Sequence, residues 1–452
     1  MTDTIWIKNP LACLNGAASG GLVIKGRKIA ELIPYGGEPT SFAGEHPIVF
    51  DASQHVLLPG LINTHHHFYQ TLTRACPAAL NKPLFPWLQS LYPLWAGLNP
   101  EMMASASTLA LAELLLSGCT TAADHHYLFP ENLMDAIDIQ AEQAKALGIR
   151  VHLTRGSMSL GEDQGGLPPQ STVQSEDVIL EDSERLIKAY HDPNEGAMVQ
   201  IALAPCSPFS VSTELMEASA RLARSYCVRL HTHLAETHDE TAFCEKMFGL
   251  RPVDYLEKVG WMADDVWLAH GIHFNDEEVA RLGHAGVGIS HCPSSNMILS
   301  SGIARTLELE RAGSPVGLGV DGSASNDGSN MIQEVRQALL LQRLRYDAED
   351  VTHQAAYRWA TEGSARCLGR NDIGRFEVGM EADLALFRLD EPRFSGAGDP
   401  LAALLLCGAT RADHVMIAGD WRVTAGEING LDLPALMARH HQLGLKLQAG
   451  TA

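Results

Sequence analysis

Read for apolar and polar positions, the chain changes rhythm twice. Residues 1–58 carry short alternating runs over 4–8, 21–33 (turning at Gly26-Arg27-Lys28) and 47–51. Alternation in Leu22-Val23-Ile24 and in 29–33 predicts the strands of a small, half-exposed sheet. The far end reads alike: a turn over 374–379, an alternating 382–387, and a hairpin of 414–417 with 421–424 about Gly419-Asp420. Neither end can bury a core alone, so residues 1–58 and 373–452 are expected to pair into one composite β-sandwich, the second part adding a C-terminal helix.

Between them, over 59–372, strand and helix alternate. Eight apolar runs read as strands, at 61–65, 120–125, 151–155, 199–204, 228–233, 266–270, 286–290 and 316–320. Stretches with i, i+3, i+4 apolar spacing separate them, at 101–117, 133–147, 181–190, 212–225, 241–258, 276–284 and 329–345. Eight such units predict a closed (β/α)8 TIM-type barrel, an α/β fold. An open doubly wound sheet is the alternative, but no Gly-x-Gly-x-x-Gly opens a helix after a strand, and there is no P-loop. Two insertions interrupt the repeat. The segment 70–100 is rich in Trp, Tyr, Phe and Pro and should lie over the carboxyl face of the barrel, where active sites form. The segment 159–174 is rich in Gly, Pro and Gln and reads as a mobile loop.

Composition narrows the function classes. The 452 residues carry a net charge of −21, a field that repels nucleic-acid phosphates and anionic membranes but admits a neutral or cationic small molecule. Nine scattered cysteines without a Cys-x-x-Cys pair argue against a disulfide framework and for a reducing, cytoplasmic setting. The first ten residues lack the marks of a signal peptide, and no apolar run reaches the ~20 residues that span a bilayer. Assembly into a homo-oligomer is left open.

The chemistry gathers at strand ends. Pro59-Gly60-Leu61-Ile62-Asn63-Thr64-His65-His66-His67 runs from a turn through a strand into three histidines. Side chains on a strand alternate, so His65 and His67 share a face and His66 opposes them. The other strand ends supply His125 or His126, Arg155, His233 followed by Glu236, His270, His291 and Asp321. A metal site needs neutral imidazoles, a carboxylate and an open position, which His65, His67, His233 and Asp321 provide. His231 lies on the same face as His233, and spacing alone does not choose between them.

Four of these segments carry a resemblance: Pro59–His67, His233-Leu234-Ala235-Glu236-Thr237, Leu268-Ala269-His270-Gly271 and Gly319-Val320-Asp321-Gly322. In this order they resemble the amidohydrolase superfamily, in its aminohydrolase branch, over nearly the whole chain. The resemblance implies one divalent ion, zinc first and iron as the alternative, held by His65, His67, His233 and Asp321. Its His-x-x-Glu pattern selects His233 over His231. No lysine ends the fourth strand, where Ala204-Pro205-Cys206-Ser207 stands, so a bridged two-metal site is not expected. The implied reaction is hydrolytic deamination by hydroxide generated at the metal. Asp321 would shuttle its proton, His270 would orient it, and Glu236 would protonate the ring nitrogen beside the attacked carbon.

The insert over 81–93 resembles that of members acting on oxidised purines, which implies 8-oxoguanine plus water going to urate plus ammonia. Gln70, Trp87, Arg155 and Cys206 are the candidate substrate contacts. Alternatives are a hydroxyatrazine-type triazine ethylaminohydrolase or other N-heterocycle deaminase, and, more remotely, an inactive metal-binding scaffold.

Overall fold

Eight parallel strands close on themselves in chain order: Leu61–Asn63, Cys119–His126, Arg150–Ser157, Val199–Pro205, Leu230–Leu234, Val266–His270, Gly288–His291 and Val316–Leu318. Leu318 pairs with Asn63 to shut the barrel. This computed structural model describes residues 4–40 and 47–450; the parts of the terminal segments at 1–3, 41–46 and 451–452 lie outside the described residues. Helices follow the strands, as the spacing predicts. One expected helix is two: the run over 241–258 divides into His238–Phe248 and Pro252–Lys258. Gly249 takes a left-handed φ of 69° as the C-cap of the first, and Pro252, unable to donate from its nitrogen, opens the second.

The barrel is filled, not hollow. Its amino-terminal end is plugged by Trp267 with Ile62, Ala123 and Ala202, and the Trp267 indole N–H donates to Thr64 O at 3.0 Å. Higher up, Gly319 faces His65 so closely that an added Cβ would stand 2.7 Å from the His65 Cβ. Glycine is needed there to let the histidine into the bore.

Two further sheets come from the termini. One is four-stranded and wholly amino-terminal; the other joins strands at 12–13 and His55–Pro59 to Leu384–Arg388 and the 414–428 strands. His55 fastens this joint, its Nε2 lying 2.7 Å from Asp413 Oδ2. Arg150, fully buried at the start of the third barrel strand, ties the barrel to the same sheet. It donates to both Asp383 oxygens at 3.1–3.2 Å and to the carbonyls of Gly196 and Ala197. Replacing it would strand a buried carboxylate, which typically costs about 3–5 kcal/mol. Arg150→Met is therefore expected to lower the denaturation midpoint sharply while leaving the distant carboxyl face of the barrel intact, a result checked by thermal and chemical unfolding.

The C-terminal helix, Leu433–Gln448, reaches back to the segment that follows the histidine run. Gln448 Nε2 donates to Leu72 O at 2.9 Å, and His440 Nε2 stands 3.0 Å from Thr71 Oγ1. Among the described residues no helix is long and apolar enough to cross a membrane.

Candidate metal and active site

The first strand ends at Asn63, so His65, His66 and His67 sit just beyond it rather than within it. They still diverge as alternation predicts: His65 and His67 turn into the bore, and His66 turns to Ser329 Oγ at 2.9 Å. Asp124 holds the turn that follows. Its carboxylate accepts the Phe68 N–H and the Gln140 amide, both at 2.6 Å, while burial pushes its pKa up to about 7.

Hydrogen bonding fixes which imidazole nitrogens are left bare. His67 Nδ1 lies 2.6 Å from the His125 carbonyl and His233 Nδ1 lies 2.7 Å from the Cys206 carbonyl. A carbonyl only accepts, so each Nδ1 carries the proton and each neutral ring presents a lone pair at Nε2. Those two Nε2 atoms face each other at 3.2 Å. His231 spends its Nδ1 proton on Trp267 O and offers its own Nε2 to His65 Nδ1 at 2.8 Å. That leaves His65 Nε2 bare too, buried and without a hydrogen-bond partner among the described residues. His231 therefore lies behind His65 as its support, deeper in the barrel.

Asp321 completes the convergence, its Oδ1 at 3.4 Å from His65 Nε2 and 3.3 Å from His67 Nε2. Three lone pairs and a carboxylate with no proton between them call for a cation. The separations match the edges, about 3.3–3.4 Å, of a tetrahedron whose zinc–nitrogen bonds are about 2.0–2.1 Å. Burial alone would lower the His67 pKa, yet hydrogen bonding and charge from Asp321 raise it. Burial likewise would raise Asp321, but His65 and His67 hold it well below the carboxylate range. His65 and His233 shift the other way, burial holding His65 well below the usual imidazole range and His233 down at about 3, so both rings stay neutral. His125 also brings a nitrogen near: its Nε2 donates to Ala204 O, which leaves its Nδ1 bare, and its ring lies flat on His233, centroids 4.7 Å apart.

The groups expected to move protons stand beside this cluster. His270 Nε2 is 3.5 Å from Glu236 Oε2 and 3.8 Å from Asp321 Oδ2, while its Nδ1 faces Asn296 Oδ1 at 3.0 Å. His270 and Asp321 both adopt left-handed backbone, φ 70° and 63°, a cost that non-glycine residues accept where surrounding structure compels it. Burial raises the Glu236 pKa against the pull of His270. Ser301 Oγ donates to Glu236 Oε1 at 3.3 Å.

A cavity opens onto His67, His233, Glu236, His270 and Asp321. Its cover is the helix Leu84–Trp95, from the insert after the first strand, which contributes Leu84, Trp87, Leu88 and Tyr92. Gln70, Trp87 and Cys206 all line it. The Gln70 amide is loosely held, with Oε1 accepting from Ala324 N at 3.3 Å and Nε2 3.5 Å from the Tyr69 hydroxyl. Trp87 is anchored by its indole N–H to Ala324 O at 3.1 Å. Cys206 is a neutral thiol, its pKa pushed up to about 12 by burial.

Arg155 is the exception. It pairs in register with His126, so both point away from the bore that His125 and Thr154 face. Its guanidinium is consumed by Asp182, Gln174 and the Gly156 carbonyl, and it lies over the Phe129 ring at 3.8 Å. It does not reach the cavity. Three groups that sequence reasoning passed over do matter here. Ser325 Oγ donates to Asp321 Oδ2 at 3.3 Å. The Tyr92 hydroxyl is buried at the cavity and has no hydrogen-bond partner among the described residues. Glu240 is buried against the backbone of Glu236. A tyrosine in an apolar helix and a glutamate in a first helical turn carry no mark that separates them from packing and capping residues.

A family model described as the amidohydrolase family matches residues 56–422. Among curated proteins the chain is similar to the 8-oxoguanine deaminase of Pseudomonas aeruginosa, 64% identical over 98% of this chain and 99% of that one. It is also similar to the hydroxydechloroatrazine ethylaminohydrolase of Pseudomonas sp. strain ADP, 38% identical over 83% and 79% of the two chains. Among solved structures, an atrazine chlorohydrolase from Arthrobacter aurescens TC1 complexed with zinc superposes with a TM-score of 0.91. That pair is 34% identical, over 97% of this chain and 100% of the other.

Proposed function

The chain belongs to the amidohydrolase family, and from that premise we propose that it hydrolyses 8-oxoguanine to urate and ammonia. The observation that carries the substrate is the 64% identity, over almost the whole of both chains, to a protein of that activity. The bared nitrogens of His65, His67 and His233, with Asp321, support one divalent ion as the resident cofactor. The zinc in a structural relative favours zinc, with iron as the alternative.

Bound there, a divalent ion supplies Lewis acidity that lets water lose a proton near neutral pH. The chain's own groups do the rest. Asp321, braced by Ser325, accepts that proton and later delivers it to the departing nitrogen. Glu236, its carboxyl kept protonated to higher pH by burial, donates to the ring nitrogen beside the amino-bearing carbon. Protonation there draws electrons from the carbon, so oxygen adds and the carbon–nitrogen bond breaks, releasing ammonia. His270, between the two carboxylates, steadies the charge as it moves. The helix 84–95 excludes bulk water and packs an apolar cover on a flat ring.

The unsatisfied Tyr92 hydroxyl supports a polar ligand, because a buried donor left unpaired costs about 1–3 kcal/mol. We assign it to reading an exocyclic oxygen of the purine. Tyr92→Phe should then lose about 10–100-fold in kcat/KM, mostly through KM, with metal content and fold unchanged. Unaltered kinetics would remove Tyr92 from the recognition set. The reading as a whole is tested by comparing kcat/KM for 8-oxoguanine, guanine, isoxanthopterin and hydroxyatrazine. The oxidised purine is expected to lead; preferential release of ethylamine from hydroxyatrazine would favour the triazine activity instead.

A further inference from the structure

Glu236 does not aim itself. It follows Ala235, a non-glycine residue held in left-handed backbone at φ 54°, and that turn is fixed from two sides. On one side the Ala235 carbonyl accepts the N–H groups of Ile272 and His273, both at 3.0 Å, while Gly271 N–H donates to Leu234 O at 3.1 Å. The turn leaving the fifth strand is thereby bolted to the turn that carries His270. On the other side stands Glu240, fully buried, with one oxygen accepting the Ala235 N–H at 2.8 Å and the other the Glu236 N–H at 3.0 Å.

This is more than a helix cap. Glu240 is the third residue of the helix His238–Phe248, whose cap is Thr237. A capping-box glutamate at that place reaches back to the N–H of the cap itself. Glu240 reaches one and two residues further, to the acid–base residue and to the strained residue before it. No lysine or arginine pairs with it among the described residues. A buried carboxylate without a cation is retained at a cost, and two backbone N–H groups at the foot of Glu236 are what it serves.

We propose that Glu240 is a positioning residue for the Glu236 proton shuttle. It holds Ala235 left-handed, so that the Glu236 carboxyl is presented to His270 and the cavity. The inference rests on the shuttle role given to Glu236 above, and the test separates the two. Kinetics with 8-oxoguanine would be measured for the zinc-loaded Glu240→Gln, Glu236→Gln and doubly substituted proteins. Glutamine keeps the volume but sets an N–H2 against one of the backbone N–H groups.

For Glu240→Gln alone, kcat should fall about 10–100-fold, with KM within about threefold and zinc stoichiometry unchanged. The double variant should be no slower than Glu236→Gln, because a residue acting through another has nothing left to act on. Adding Ala235→Gly to Glu240→Gln should restore part of the rate, since glycine takes a positive φ without support. If Glu240→Gln does not fold, Glu240→Asp, one methylene short of holding both N–H groups, should show the same kcat loss. A wild-type kcat in the Glu240 variants, or losses that multiply in the double variant, would overturn the proposal. Full activity in Glu236→Gln would overturn the shuttle and this inference with it; a slow Glu236→Gln beside a normal Glu240→Gln would sink the inference alone.

Discussion

Glu236→Gln is expected to bind its metal normally and to lose turnover by about 10²–10⁴-fold, the range that positioned acid–base groups contribute. The reasoning is local. Glu236 is buried beside His270 and Ser301, and the metal-site atoms are contributed by other residues. Glutamine fits the same space and accepts the same hydrogen bond from Ser301, but its amide is far too weak an acid to transfer a proton to a ring nitrogen. The loss should fall on kcat more than on KM, because the proton is needed most once the carbon is under attack. Metal analysis alongside steady-state kinetics checks both halves. A variant that turned over at the wild-type rate would assign ring protonation to another group, and one that lost its metal would place Glu236 among the ligands.

The second large effect follows from the bared lone pairs. His233→Ala removes one wall of the cluster and leaves His67 Nε2 without the atom it faces at 3.2 Å. Turnover should fall by at least about 10³, since Lewis-acid stabilisation is worth several kcal/mol and each 1.36 kcal/mol is tenfold. Stability gives an independent readout. A ligand that binds only the folded chain stabilises it by about 4 kcal/mol when present at 1,000 times its Kd. Chelation should therefore lower the melting temperature of the wild-type protein, and added zinc should restore it. His233→Ala should show little response to either. Equal responses in both proteins would mean that the cation is held elsewhere.

Much of this is legible in the sequence alone. Apolar runs of four to eight residues, each followed by a helical stretch, specify the barrel because both faces of its strands are buried. The strand ends then deliver His65, His67, His233, His270 and Asp321 to one point by closure alone. Where the reading failed, a local rule had yielded to tertiary context. The 241–258 periodicity runs through Gly249 and Pro252, whose backbone needs break the helix. Arg155 sits at a strand end like the others, but its register with His126 turns it out to Asp182 in the helical layer. Strand parity carries that information once the register is known, and residue type does not. Glu240 and Tyr92 were illegible for a different reason. What sets them apart is a pair of hydrogen bonds to the backbone two and three residues past His233, and a hydroxyl with no partner among the described residues.

The reaction assigned to this site replaces the exocyclic amino group of an oxidised purine with oxygen. The most direct measurement is the product stoichiometry when zinc-loaded protein is incubated with 8-oxoguanine, following urate by its absorbance and ammonia by a coupled assay. One equivalent of each per substrate consumed is the predicted result. Intact 8-oxoguanine after prolonged incubation with fully metallated protein would contradict it.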